Sequence, residues 1–163
     1  MDYPTVTNPE TNRFLKVFFT YQTINRRFYE LVPKDKLNFR LTSKSDTILQ
    51  HLAHQVNAQH SYLQIAKTGQ GKFKDFYDPN MHRLTRPELF SRWDQLNQEL
   101  IAMLSDPGNL SKTVIVKWSD APISLLSFFW ALNDHEILHN GINIAHLNIL
   151  NIPRFPELTA VWG

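Results

Sequence analysis

The 163-residue chain has no cysteine, so it can close no disulfide and can offer no thiolate to a metal. Any ion it holds must be taken by nitrogen and oxygen ligands. It also lacks an excess of either charge: 17 Lys and Arg stand against 15 Asp and Glu, for a net charge of +2. That balance argues against a nucleic-acid or membrane-surface footprint. No uninterrupted apolar run approaches the roughly 18 residues of a membrane span. Met1-Asp2-Tyr3-Pro4-Thr5 has no basic segment followed by an apolar one, so no secretory signal is expected. Internal repeats and low-complexity segments are missing as well. What remains is a 42% hydrophobic composition, enough for one compact domain over residues 1–163 with a sizeable core. A soluble, cytoplasmic protein is the expectation.

Punctuation divides the chain into four long helical stretches. The first runs from Asn8-Pro9 to Leu31-Val32 and stops at Pro33, with Phe14, Leu15, Phe18, Tyr21, Phe28 and Leu31 at helical spacing. The second is expected to start near Ser43 to Ser45 and to end at Gly69 and Gly71. A loop from Lys72 to Arg86 carries Phe73, Phe76, Tyr77 and Met81. Pro87 then opens a third helix, capped by Thr85 or Arg86 and ending near Pro107-Gly108. Residues Thr113 to Trp118 form a lone β-like run. A fourth helix starts with Ser119 or Asp120 as cap and ends where Asn151 can turn left-handed ahead of Pro153. This pattern predicts an all-α, up-down four-helix bundle with at most a short β-like segment near 113–118.

The fourth stretch carries the most informative string, His135-Glu136-Ile137-Leu138-His139. Residues at i and i+4 share a helix face, about 6 Å apart along the axis, so two imidazoles can converge on one divalent ion. Leu125, Phe128, Leu132, His135, His139, Ile142, His146 and Ile149 follow the seam of a bundle helix. Two imidazoles on such a seam must have their nitrogens satisfied, and a metal satisfies both. His146 lies about 10 Å further along and is too far for the same ion. A third ligand is expected from the second helix, where Ile48, Leu52, Val56, Leu63 and Ala66 mark the apolar arc. His51 falls on one shoulder of that arc and His60 on the other, while His54 points nearly opposite, to solvent. His51 is therefore the favoured partner of His135 and His139.

The run from His135 through Asn140-Gly141-Ile142 to Leu147-Asn148-Ile149-Leu150-Asn151-Ile152-Pro153 resembles the DinB/YfiT-like metal-binding bundles. Their pattern is H-E-x-x-H-R-G-Q followed by L-R-x-x-G-x-P. Leu49-Gln50-His51-Leu52-Ala53 is similar to the string that holds the family's first ligand. The resemblance implies a His51, His135, His139 triad on zinc or nickel, and a homodimer. Asn140, Ile142, Asn148 and Asn151 stand where the pattern has Arg, Gln, Arg and Gly, so neighbouring polar groups differ.

Some members of that family resemble thiol-dependent enzymes. The implied activity is a metal-dependent transferase or hydrolase of small molecules, with a low-molecular-weight thiol as one candidate partner. Asp134 and Glu136 are weak candidates for acid–base groups, each about 100° from its neighbouring ligand; Asn133 and Asn143 would need the bundle to open. Two rivals remain. In a zinc peptidase Glu136 would be the general base, yet the glycine and histidine after His139 are out of the metzincin frame. A non-catalytic bundle would use the metal for stability in an interaction or stress-response role. Aromatics of the 72–81 loop and Trp162 are candidates for a dimer interface or for closing the core.

Overall fold

The computed structural model describes residues 5–119 and 121–163. Helix α1 spans Pro9–Leu31: the Asn8 side chain accepts from Thr11 N–H, and Pro9 sits in the first turn, where its missing donor costs nothing. Arg86 Nη1 donates to the carbonyls of Tyr29 and Val32, at 2.8 and 2.6 Å, and so satisfies the far end of α1. Helix α2 spans Ile48–Thr68 and begins later than the sequence suggested. The reason is a capping box in which Gln50 N–H donates to Thr47 Oγ1 and Thr47 N–H to Gln50 Oε1. Gly69, at φ 76°, ends it.

Strand β1 (Gln70–Gly71) follows at once, and two 3-10 turns, Phe73–Asp75 and Pro79–Arg83, occupy the aromatic loop. Helix α3 (Arg86–Ser105) starts at Thr85, whose N–H donates to the Glu88 carboxylate at 2.8 Å. A short helix α4 (Pro107–Leu110), strand β2 (Thr113–Val116) and strand β3 (Ile123–Ser124) lead into helix α5, Leu125–Leu150. Asn151 at φ 52° closes α5, as its side chain and the following Pro153 require. Helix α6 (Pro156–Trp162) folds back so that Trp162 Nε1 donates to Asn140 Oδ1 at 3.1 Å.

The β-like run is not alone. β2 is the middle strand of a three-stranded sheet, parallel to β1 and antiparallel to β3. Pairing of residues 123 and 124 with β2 also moves the start of α5 past the Ser119 and Asp120 caps expected for it. Ser124 caps instead, accepting from Ser127 N–H, and Asp120 lies outside the described residues.

The result is a mostly helical bundle in which α1 packs along α5 and α2 lies against both α3 and α5. Phe14, Phe18, Phe28, Leu52, Trp93, Phe128 and Leu132 are buried in its centre. The buried face of α5 is rotated from its apolar pattern. Ile149 is 56% exposed, whereas Glu136, Asn140, Asn143 and His146 are buried. α1 meets three of these polar residues: Asn25 Nδ2 donates to Glu136 Oε2, Asn140 Nδ2 to Tyr21 O, and Asn143 Nδ2 to Asn25 Oδ1. Among the described residues, no helix is long and apolar enough to cross a membrane.

Candidate metal centre

His135 and His139 sit one turn apart on α5, and α2 brings a third imidazole to them. It is His54. His54 Nε2 lies 3.1 Å from His135 Nε2, and His139 Nε2 lies 3.2 Å from the same atom. Among the described residues, these three form the group of His, Asp and Glu side chains whose ligand atoms come within 4.8 Å of one another. Two ligand nitrogens on a tetrahedral ion, each about 2.0–2.1 Å from it, stand about 3.3 Å apart, so the spacing suits a small divalent cation.

Hydrogen bonding alone does not account for the convergence. One imidazole nitrogen has either one proton or one lone pair, yet His135 Nε2 faces two other ring nitrogens. A cation between them can take all three lone pairs. Burial holds the His135 pKa down at about 4, with the nearby His54 adding to the shift. His139 is pushed well below the usual imidazole range, first by burial and then by His135, His54 and His51. Both rings therefore stay neutral at physiological pH, the form a metal requires.

His51 stands beside this group. Its ring is 5.9 Å from that of His139 and 5.7 Å from that of His146, centroid to centroid. The helical wheel favoured His51 because it followed only the apolar arc of α2. The helix also buries Gln55, Asn57 and Ser61, which opens a second inward face. His54, Ala58 and Ser61 share that face and line a cleft of about 440 Å³ together with Tyr62, Phe73 and His135. His54 is thus exposed to the cleft rather than to open solvent on the far side of the bundle. His60 is turned to α3, where Arg92 donates to its Nδ1 at 3.2 Å.

Glu136 does not face the cleft. It is fully buried, and its Oε2 accepts from Asn25 Nδ2 at 2.7 Å and Gln55 Nε2 at 3.0 Å. Tyr29 in turn donates to Gln55 Oε1 at 2.6 Å. Burial raises the Glu136 pKa to about 7, against the two amide donors that pull it down. A glutamate sealed in this way cannot act as the water-activating base that the peptidase reading assigns to it. Asp134 is exposed and Asn143 belongs to the Glu136 network; neither lines the cleft. His146 Nδ1 donates to Ile142 O at 3.0 Å, away from the three-imidazole group.

The sequence profile of the DinB superfamily matches residues 20–142, a span that includes all three histidines. The chain belongs to the DinB superfamily. Two solved DinB-type structures share its fold. A DinB-like protein from Bacillus subtilis superposes with a TM-score of 0.66 at 14% identity, over 89% of this chain and 96% of its own. A DinB-family member from Exiguobacterium sibiricum gives 0.74 at 16% identity, over 92% and 98%. No functionally curated protein matches the chain. For this DinB-superfamily member, the sequence alone pointed to the α5 pair. The histidine contributed by α2 became evident only once the faces of that helix were placed.

Proposed function

We propose that this DinB-superfamily protein is a divalent-metal-dependent transferase or hydrolase of small molecules, with His54, His135 and His139 holding the ion. The observation that carries the proposal is the convergence of three neutral ring nitrogens at the wall of an open cleft. Zinc and nickel both accept such a nitrogen set, and three protein ligands leave a position for substrate. When bound, the ion supplies Lewis acidity that lowers the pKa of a thiol or of water.

The cleft itself favours a thiol. No carboxylate lines it, so it offers no general base for water. Tyr62, held protonated by burial with a pKa raised to about 12, supplies no phenolate base at neutral pH. A free thiol ionises near pH 8.5, whereas bulk water has a pKa of about 15.7, so a thiol needs far less activation. The chain has no cysteine to provide that thiol, and a low-molecular-weight thiol is the natural co-substrate.

Elemental analysis of the purified protein tests the centre, with about one ion per chain expected and almost none after His54→Ala or His139→Ala. Metal-dependent consumption of a small thiol with an electrophile tests the activity. The missing carboxylate also supports a second reading, a metal-stabilised bundle without turnover. A metal-replete protein that melts on chelation but consumes no thiol selects that reading.

A further inference from the structure

Next to the metal cleft lies a second one, of about 560 Å³, lined by Gly71, Lys72, Phe73, Lys74, Lys117 and Trp118. Phe73 and Lys74 line both clefts and form the wall between them. The sheet explains why lysines gather here. β1 runs parallel to β2 and their last pair is Gly71 with Val116, so the chain leaves the two strands at the same end through Lys72 and Lys117. Like charges gathered at one place repel unless something of opposite sign meets them.

Among the described residues, no carboxylate lies within 4.0 Å of Lys72, Lys74 or Lys117. The ion pairs all involve other cations. Asp75 is on the same turn as Lys74 but lines neither cleft. In a protein whose charges almost cancel, three lysines around one cleft, with no ion pair among the described residues, are a local concentration.

The same cleft has an aromatic floor. Trp118 stacks on Phe73 at 5.4 Å and 15° and on Phe128 at 6.0 Å and 15°, yet it is 53% exposed. Its packing keeps the indole in one orientation while leaving part of it open to a ligand.

We propose that this second cleft binds the anionic end of a small planar organic molecule. A carboxylate or phosphate is held by Lys72 and Lys117, with Lys74 beside them, and the planar part lies on Trp118. The adjoining wall lets the other end of the molecule reach the cleft of His54 and His135. Only that last step rests on the metal-dependent function proposed above; the anion subsite does not need the ion.

Binding of 2-naphthoate and 2-naphthyl phosphate, with neutral 2-naphthylmethanol as control, tests the subsite by calorimetry. Each probe is titrated into metal-replete protein, metal-stripped protein and His139→Ala. Both anions are expected to bind all three forms alike. They should weaken by roughly tenfold in a Lys72→Ala/Lys117→Ala variant and on raising salt from about 0.05 to 0.5 M. The alcohol should bind more weakly and ignore the lysine changes, and Trp118→Ala should weaken all three probes. The stronger of the two anions names the charged group. An anion that fails to bind the wild-type chain, or binds it and the double-lysine variant equally, overturns the subsite. Anion binding lost with the metal and insensitive to the lysines does so too. Metal content measured on the same samples reports separately on the three-histidine centre. The lysines are exposed, and circular dichroism checks that the variants keep their fold.

Discussion

The bundle contains two polar constellations that answer the cost of burial in opposite ways. One joins α1, α2 and α3 as a closed ring: Gln22 donates to Gln59 at 3.0 Å, Gln59 to Asn97 at 2.9 Å, and Asn97 back to Gln22 at 2.7 Å. Trp93 Nε1 adds a fourth donor, to Gln59 Oε1, at 2.8 Å. The other is the group of His54, His135 and His139, where three ring nitrogens crowd together and cannot all be paired. The buried Nδ1 atoms of His135 and His139 have no partner among the described residues. A polar cluster that satisfies itself holds helices together. One that cannot do so, and opens on a cleft, is built for something from outside.

The largest effect expected from this contrast is on metal content. His54→Ala and His139→Ala each remove a ligand from the unsatisfied cluster and should cut affinity by more than about 100-fold, beyond what loss of an outer partner costs. His51→Ala should retain most of the ion. Chelation should lower the melting temperature of the wild type, since an ion at about 100 times its Kd stabilises the fold by about 2.7 kcal/mol. If His51→Ala empties the site while His54→Ala leaves it full, the assignment of the α2 ligand is reversed.

These two clusters also differ in how legible they were. Helix ends could be read from local chemistry, as at Asn8-Pro9, Gly69 and Asn151-Pro153, because the cap and the helix are neighbours in sequence. The pair His135 and His139 was legible for the same reason, being fixed by one helical turn. β1 and β3 were not, because each is only two residues long and finds its partner across the chain. His54 escaped because hydrophobic periodicity reports only apolar faces. Its signal lay in the amides instead: Gln55, Asn57 and Gln59 on one helix are all buried, which requires polar partners on more than one side. The burial of Glu136 was not legible for the same reason. Its partners Asn25 and Gln55 come from α1 and α2 and cannot be inferred from α5.

Breaking the satisfied ring should act on stability and leave the metal alone. Gln59→Leu strips the acceptor from the buried Gln22 and Trp93 and the donor from the half-buried Asn97. A buried donor left without a partner costs about 1–3 kcal/mol, and the members are coupled, so a total loss of about 2–4 kcal/mol is expected in urea unfolding. Metal per chain should stay at the wild-type level. A loss of metal that tracks the loss of stability would mean that the two constellations are one cooperative unit.

Glu136 lies between the two cases, with Oε2 doubly bonded and Oε1 buried without a partner. Its folded pKa of about 7 is above the usual carboxyl value, so the folded state holds the proton more tightly than the unfolded chain. Stability from this group is therefore complete below about pH 4.5 and is lost as pH rises through about 7. His135 and His139 act in the opposite sense. Their lowered pKa values make stability fall as pH drops below the ordinary imidazole range. Glu136→Gln cannot titrate, so subtracting its curve from that of metal-stripped wild type isolates the glutamate. The difference should change between about pH 4.5 and 7 and be flat outside that window. Parallel curves would show that the carboxyl does not titrate in the fold as its burial requires.

The smallest effect belongs to the surface, where water can satisfy what the protein does not. Arg26 pairs with Asp94 across α1 and α3, but the two side chains are 33% and 55% exposed. Asp94→Asn should cost about 0.2–1 kcal/mol at low salt and less at high salt. Part of the Arg26 contribution survives the change, because the guanidinium also lies 4.8 Å above the Phe90 ring and bonds Glu30. A formal charge pair would then count for less than the neutral Gln59 amide. That ordering follows from solvent access, since an exposed carboxylate exchanges one good partner for another while a buried amide has none in reserve. An Asp94→Asn loss as large as that of Gln59→Leu would show that the α1–α3 contact depends on its rim charges rather than on its interior ring.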